Sequence, residues 1–218
     1  MISDADLFEE GLAAGRGSVL LIACGALARE VLALTRLNGW EHMALRCLPA
    51  KLHLYPEQIP EAVRSAVRRG RADGFDVVFV VYADCGTGGL LDAVCAEEGV
   101  ERIAGPHCYS FFDGNAAFAA RAEEEMQAFY LTDFLVKQFD AFVWRPMGLD
   151  RHPELRDMYF GHYETLIYLA QTDDPALDEM ARASAERLGL AYARRLTGYG
   201  DLEGALAGVS GGSGPGSA

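Results

Sequence analysis

The sequence has no Cys-x-x-Cys pair, no apolar stretch approaching the roughly 20 residues that span a bilayer, and little clustered positive charge. Without paired cysteines, a zinc ribbon or a two-cluster ferredoxin pattern is excluded. The N-terminal stretch MISDADLFEEGL is acidic and lacks the apolar centre of a signal peptide, so a cytoplasmic protein is expected. A formal net charge of −13 argues against nucleic acid or an anionic membrane as the main partner, because both demand clustered cations. The one basic run, four arginines between Arg64 and Arg71, reads as a solvated helix end. Catalytic signatures are missing too: there is no Gly-x-Ser-x-Gly between a strand and a helix, no His-Glu-x-x-His and no calcium loop.

Half of the 218 residues are apolar, enough for one sizeable core. Periodicity and punctuation predict strands over 18–24, 43–48, 77–83 and 102–104, with helices over 26–37, 58–69 and 89–98 between them. A long helical stretch is expected over 119–144 and an irregular polar and aromatic segment over 145–163. Alternation then resumes with strand 165–171, helix 175–188, strand 190–198 and helix 201–208. This order is the mark of an α/β protein with a doubly wound, mostly parallel, Rossmann-like sheet. A single domain over 1–208 is expected, with a helical and irregular insertion before the last strands and a flexible Gly/Ser-rich tail over 209–218.

Five dispersed cysteines, an odd number, do not make a disulfide framework, and reduced thiols suit the cytosol. Cys24, Cys85 and Cys108 close the apolar runs SVLLIAC, DVVFVVYADC and RIAGPHC, each read as a strand. Ligands of open α/β sheets bind just beyond the carboxyl ends of strands, so these three thiols are candidates for one shared centre. Three soft thiolates favour zinc or an iron–sulfur cluster over magnesium or calcium, and either centre keeps an open position for substrate. Cys95 falls on the apolar face of a helix with Leu91 and Val94 and reads as core; Cys47, followed by the Pro49 break, reads the same way. Two other readings stand beside the metal centre. The three cysteines are structural in a metal-free binding or interaction module, or Cys85 is the nucleophile of a transferase, its thiolate favoured by the helix that follows and served by a histidine base.

Other polar groups extend the candidate site. His107 precedes Cys108 and joins the metal ligands only where the strand has already ended in a turn. His53 is placed near the same pocket, and His42 at the surface. In the irregular segment, Asp150, Arg151, His152 and His162 are the candidate catalytic groups, an acid–base or anion-binding wall facing the thiols. The structural alternative has Asp150 capping the helix through PELRDMYF and Arg151 pairing with a carboxylate. Gly25, Gly86, Gly88 and Gly89 are the candidate cofactor-binding positions. CGTGG at 85–89 resembles a phosphate-cradling turn but is neither a complete G-x-G-x-x-G nor a P-loop; its glycines equally allow a tight turn that presents Cys85, with amides bonded to the sulfur.

LIACGALARE, CLPAKLHLYPEQIPEAV, VVYADCGTGGLLD, RIAGPHCYSFFDG and the stretch from FYLTDFLVKQFD to YETLIYLAQ together resemble the domain-of-unknown-function family 1638. That family's pattern has a Cys-Gly-Ala-Leu stretch, a Tyr-x-x-Cys-Gly stretch and a third cysteine after an acidic or polar residue, matching Cys24, Cys85 and Cys108 here. His107 stands where relatives commonly carry aspartate. The resemblance implies an α/β fold and a shared thiol site linked to one-carbon and corrinoid-dependent methyl metabolism. The expected protein is then an enzyme or maturation factor that takes a small-molecule substrate, with a homo-oligomer or a methyltransferase as its protein partner.

Overall fold

Val19–Cys24 is apolar and buried at every position, which suits a strand covered on both faces. In the computed structural model, which describes residues 3–211, it lies at the centre of a five-stranded sheet. The described chain divides into two compact units, one drawn from Met1–Cys108 with Asp201–Ala218, the other Tyr109–Gly200.

The first unit opens with helix α1 (Asp4–Glu9), started by a capping box in which the Ser3 hydroxyl accepts from the Asp6 amide and the Asp6 carboxylate accepts from the Ser3 amide. Then come β1 (Leu12–Ala14), β2 (Val19–Cys24), α2 (Ala28–Leu37), β3 (Met43–Leu48), α3 (Ile59–Ala72), β4 (Val77–Val81), α4 (Leu90–Glu98) and β5 (Glu101–Arg102). The sheet order is β1-β3-β2-β4-β5, with β1 antiparallel to β3 and the remaining pairs parallel. Helix α3 begins with Pro60 in its first turn, where a missing N–H costs nothing. Three of its four arginines are paired: Arg64, Arg68 and Arg71 surround the Glu98 carboxylate of α4 at 3.3, 2.8 and 3.5 Å, and Arg64 also meets Glu97 at 2.7 Å. These contacts hold the Glu98 carboxyl below the usual range, chiefly through the bond from Arg68, and tie α3 to α4.

The second unit contains α5 (Cys108–Asp113) apart from Cys108 itself, α6 (Asn115–Ala120), β6 (Ala128–Thr132), α7 (Asp133–Lys137), α8 (Arg156–Phe160), β7 (Thr165–Ala170), α9 (Pro175–Leu188) and β8 (Ala191–Leu196); α10 (Asp201–Gly211) returns to the first unit. Its sheet is parallel throughout, in the order β6-β7-β8. The α/β class is as expected, but the strands form two sheets, one mixed and one parallel, instead of one continuous sheet. The second sheet fills its own core: Leu177, Ala181, Ala185 and Leu188 of α9 pack with Leu131, Val136, Phe139, Val143 and Tyr168. Asp133 ties β6 to the end of β7. It is buried and accepts from the Tyr168 hydroxyl at 2.7 Å, the Gln171 and Thr172 amides at 2.9 and 3.1 Å, and the Thr172 hydroxyl at 2.6 Å.

The long helix expected over 119–144 is a correction. AFYLT within it pairs in parallel register with TLIYLA as β6, followed by the short α7 and a π-helical turn at Asp140–Trp144. Aromatic and β-branched side chains fit a strand, and the neighbouring β7 supplies the backbone partners that helical periodicity ignored. Of the expected tail, residues 209–211 belong to α10; 212–218 lie outside the described residues. Among the described residues, no helix is long and apolar enough to cross a membrane.

Candidate functional site

Because β2, β3 and β4 run parallel, their carboxyl ends share one edge of the first sheet. Cys24 ends β2, Cys47 stands one position before the end of β3, and Tyr82 follows β4 directly. Ala23 pairs with Val81, so Cys24 and Tyr82 leave the sheet at the same level.

Gly25 explains how a third group joins them. A Cβ there would sit 2.3 Å from the Leu7 carbonyl oxygen and 3.2 Å from the Ala50 nitrogen, so only glycine lets these backbones close around the end of β2. The chain beyond Ala50 forms a 3₁₀ turn over Ala50–Leu54 that carries His53. His53 Nδ1 lies 3.4 Å from Cys24 Sγ, a sulfur that also accepts from the Ala26 amide at 3.4 Å. The same imidazole stacks near the Tyr82 ring with centroids 6.3 Å apart, and the Cys85 side chain and the Ala50 carbonyl lie close enough to favour its protonated form. Cys24, His53 and Cys85 are thus brought together from the ends of three strand-bearing segments.

Burial pushes the Cys24 thiol up to about 12, against the pull of the Ala26 amide and the Tyr82 hydroxyl, with the charge of Glu30 adding to the rise. Cys24 therefore keeps its proton at neutral pH. Cys47, 4 % exposed, is raised for the same first reason, with Cys24 and Glu30 contributing, which agrees with its reading as core. Cys95 is buried on α4 and raised chiefly by that burial, again as expected for a core thiol. Burial also raises the Tyr82 phenol, reinforced by Cys24, Cys85 and Cys47; its hydroxyl lies against the Cys24 sulfur without a well-directed hydrogen bond. For His53, burial pulls downward, but the bond and charge of Cys85 and the Ala50 carbonyl outweigh it, leaving the imidazole above its ordinary value.

Cys85 is half-buried and is the one non-glycine among the described residues with positive φ, +51°. Left-handed backbone costs an L-residue about 1–2 kcal/mol, and such strain persists where surrounding bonds impose it. Here the Cys85 amide donates to the Pro106 carbonyl at 2.9 Å and the Asp84 amide to Gly105 at 3.0 Å. The Asp84 carboxylate then accepts from the Thr87 hydroxyl at 2.8 Å and from the Gly88 and Gly89 amides at 3.2 and 2.9 Å. In this structure the glycine amides at 88 and 89 serve Asp84 and not the Cys85 sulfur. The bonds hold the Asp84 carboxyl below the usual range, the Gly89 amide first among them.

Cys108 is placed differently from its expected strand end. β5 stops at Arg102, and Cys108 opens α5, half-buried, after the Gly105–Pro106 break. β4 offers paired partners only to Glu101 and Arg102, at Phe79 and Val80, so the strand stops there. His107 lies in the bend that precedes α5. Burial lowers the His107 imidazole, Asp84 opposes this, and His53 adds to it. Among the described residues, no group of three or more His, Cys, Asp or Glu side chains is arranged to hold a metal ion.

The candidate groups of the irregular segment lie in the second unit, and each is occupied by a sequence neighbour. Asp150 and Arg151 approach to 3.9 Å, His152 Nδ1 meets Glu154 at 3.2 Å, and the His162 ring lies 4.1 Å from that of Tyr163. All four are exposed. Asp150 caps neither the 3₁₀ turn Pro153–Leu155 nor α8; neither has a side-chain cap. Sequence reasoning placed His53 near the pocket without giving it a role there, and it missed Tyr82 and Asp84, although both fall inside the Tyr-x-x-Cys-Gly stretch that it singled out.

No curated protein and no solved structure matches the chain. A family model described as "Protein of unknown function (DUF1638)" matches residues 47–206, which include His53, Tyr82, Asp84, Cys85, His107 and Cys108; Cys24 precedes the matched segment. With most of its length inside that match, the chain belongs to the DUF1638 family.

Proposed function

We propose that Cys85 is a nucleophilic thiol served by His53, in a protein that transfers an acyl or alkyl group from a small electrophilic molecule. One observation carries this reading: the half-buried Cys85 is held in left-handed backbone at a strand–turn–helix junction, close enough to the buried His53 imidazole to raise its affinity for a proton. Nucleophile and base within bonding reach, with the base oriented by a further group, is the arrangement of nucleophilic catalysis. Here the Ala50 carbonyl and Cys24 orient the ring. The Cys85 sulfur forms a bond to the electrophilic carbon as that carbon's bond to the leaving group breaks. The thiol proton passes to His53, which returns it to the leaving group. An acceptor then attacks the same carbon, His53 takes the acceptor's proton, the carbon–sulfur bond breaks, and His53 passes that proton to the released Cys85 sulfur to restore the thiol and the neutral imidazole.

Limited alkylation at pH 7 followed by peptide mapping tests the reading. Cys85 is expected to be labelled first among the five cysteines; labelling led by Cys108 would overturn it.

A second reading is favoured by Cys24 lying 3.4 Å from the imidazole that also lies close to Cys85. Sulfur and imidazole donors suit zinc or an iron–sulfur centre, with Cys24, Cys85 and Cys108 as ligands and His107 beside them. Metal and acid-labile sulfide analysis of protein purified without oxygen separates the two readings. Near-stoichiometric zinc, or iron with sulfide, lost in each folded Cys24→Ser, Cys85→Ser and Cys108→Ser variant would establish the centre; metal-free protein removes this reading. In either case the parallel strands of the first unit, with the site beyond their carboxyl ends, support a Rossmann-like frame. Thiols that must stay reduced support work in the cytoplasm.

A further inference from the structure

We infer that Asp84 is a positioning residue that fills the anion cradle of its own glycine-rich loop, so that Cys85 is offered to an uncharged electrophile and not to a phosphorylated one. This rests on the nucleophilic reading of Cys85. The loop from Cys85 to Gly89 joins β4 to α4, the place where successive amides commonly converge on a phosphate. Gly88 and Gly89 have φ of +62° and +85°, which turns their amides toward a common acceptor. That acceptor is already present in the chain. Both amides donate to the Asp84 carboxylate, as does the Thr87 hydroxyl, while the Thr87 amide donates to the Asp84 carbonyl at 3.1 Å. Thr87 in turn accepts from the Leu91 amide at 3.4 Å, joining the cradle to the first turn of α4.

Two consequences follow for the residue next to Asp84. The closed loop fixes the direction from which the Cys85 backbone is held, and the left-handed conformation at Cys85 is imposed from both sides, by this cradle and by the Pro106 carbonyl. The carboxylate also leaves a negative charge on the residue next to Cys85 in the chain, within the loop that a substrate must approach. An anionic substrate would have to displace a tethered carboxylate and meet like charge; an uncharged acyl or alkyl donor meets neither obstacle.

The test compares iodoacetamide, which is neutral, with iodoacetate, which is anionic, as alkylating agents mapped at Cys85 in the full-length protein, with thermal melts of each variant. Asp84→Asn keeps an oxygen for Thr87 and Gly89, turns an NH2 toward the Gly88 amide and removes the charge. Whatever its rate with iodoacetamide, the preference for the neutral reagent should narrow about fivefold, the scale of one nearby charge at partial exposure. Asp84→Ala, which leaves the amides without an acceptor, should lose about tenfold with both reagents. An unchanged reagent preference in Asp84→Asn overturns the inference. So does a wild-type rate in folded Asp84→Ala, or protection of wild-type Cys85 by inorganic phosphate. Should Asp84→Ala not fold, the Asp84→Asn preference decides alone. A wild-type Cys85 no faster than in the His53→Gln protein would instead remove the nucleophilic reading beneath the inference.

Discussion

Replacing His53 by Gln is expected to slow alkylation of Cys85 about 10- to 100-fold at pH 7, the value of a hydrogen bond to a charged group, about 1.5–3 kcal/mol. Glutamine preserves much of the side-chain volume and can still donate a hydrogen bond, but it cannot take a proton. The loss therefore reports the proton-accepting role and not the packing of the 3₁₀ turn. The environment of His53 is built for that role. Cys85 and the Ala50 carbonyl together raise the imidazole against the pull of burial, so it holds a proton more readily than an ordinary histidine. Cys24 makes an internal control. With its thiol pushed up to about 12, its thiolate is on the order of one part in 10⁵ at pH 7, and it should stay unlabelled whichever residue stands at 53. Second-order rate constants from the mass of the Cys85 peptide, beside a thermal melt, decide the matter. Equal rates in the two proteins would end the nucleophilic reading.

Gly25→Ala is expected to cost the first unit about 3 kcal/mol, the upper end for overpacking, because the added methyl meets backbone and not a movable side chain. At 2.3 Å from the Leu7 carbonyl oxygen, relief requires α1 and the Ala50–Leu54 turn to move apart. That movement carries His53 away from Cys24, so Cys85 reactivity should fall together with stability. Gly86→Ala is the instructive comparison. A methyl there meets the Pro56 side chain at 3.7 Å, with φ at +83°, so the expected cost is only the left-handed penalty of about 1–2 kcal/mol. Chemical denaturation of both variants checks the order, and a Gly25→Ala protein as stable as Gly86→Ala would contradict the close-approach account. Gly25 was expected among the cofactor-binding positions; its role in this structure is to let three backbone segments close at the end of β2.

Much of the first unit was legible because its signals are local. SVLLIAC and MALRCL are short apolar runs bounded by turn residues, and β3 occupies the predicted 43–48. Helix α9 likewise spans the predicted 175–188, opened by Asp174 accepting from the Ala176 amide and by Pro175 in the first turn. AFYLT was not legible. Its Phe129, Tyr130 and Leu131 fit a helical apolar face as well as a strand, and only the parallel pairing with β7 decides between them. The early end of β5 was missed for a related reason: a strand two residues long, Glu101 and Arg102, carries too little pattern to fix its boundary.

The candidate site divides in the same way. Cys24 was found from the sequence because a thiol closing a buried strand in an α/β protein falls at the carboxyl edge of the sheet whatever the details of packing, while Cys85, read as closing its strand, stands in the loop four residues beyond the end of β4. His53 lies 29 residues from Cys24 and 32 from Cys85, in a turn with no periodic signature, and only the register of β2 with β3 and the close approach at Gly25 bring it to the thiols. Asp84 reads in the sequence as an ordinary acidic residue before a glycine-rich turn, yet the folded loop makes it the acceptor that the turn's amides share. The sequence by itself determined the residue chemistry, the alternation of strand and helix, and the edge at which the thiols would stand, because each depends on residues close together in the chain. The partner of each thiol, the division into two sheets and the occupant of the glycine cradle were decided by the tertiary structure, because they depend on backbone approach and strand pairing between segments that local pattern does not connect.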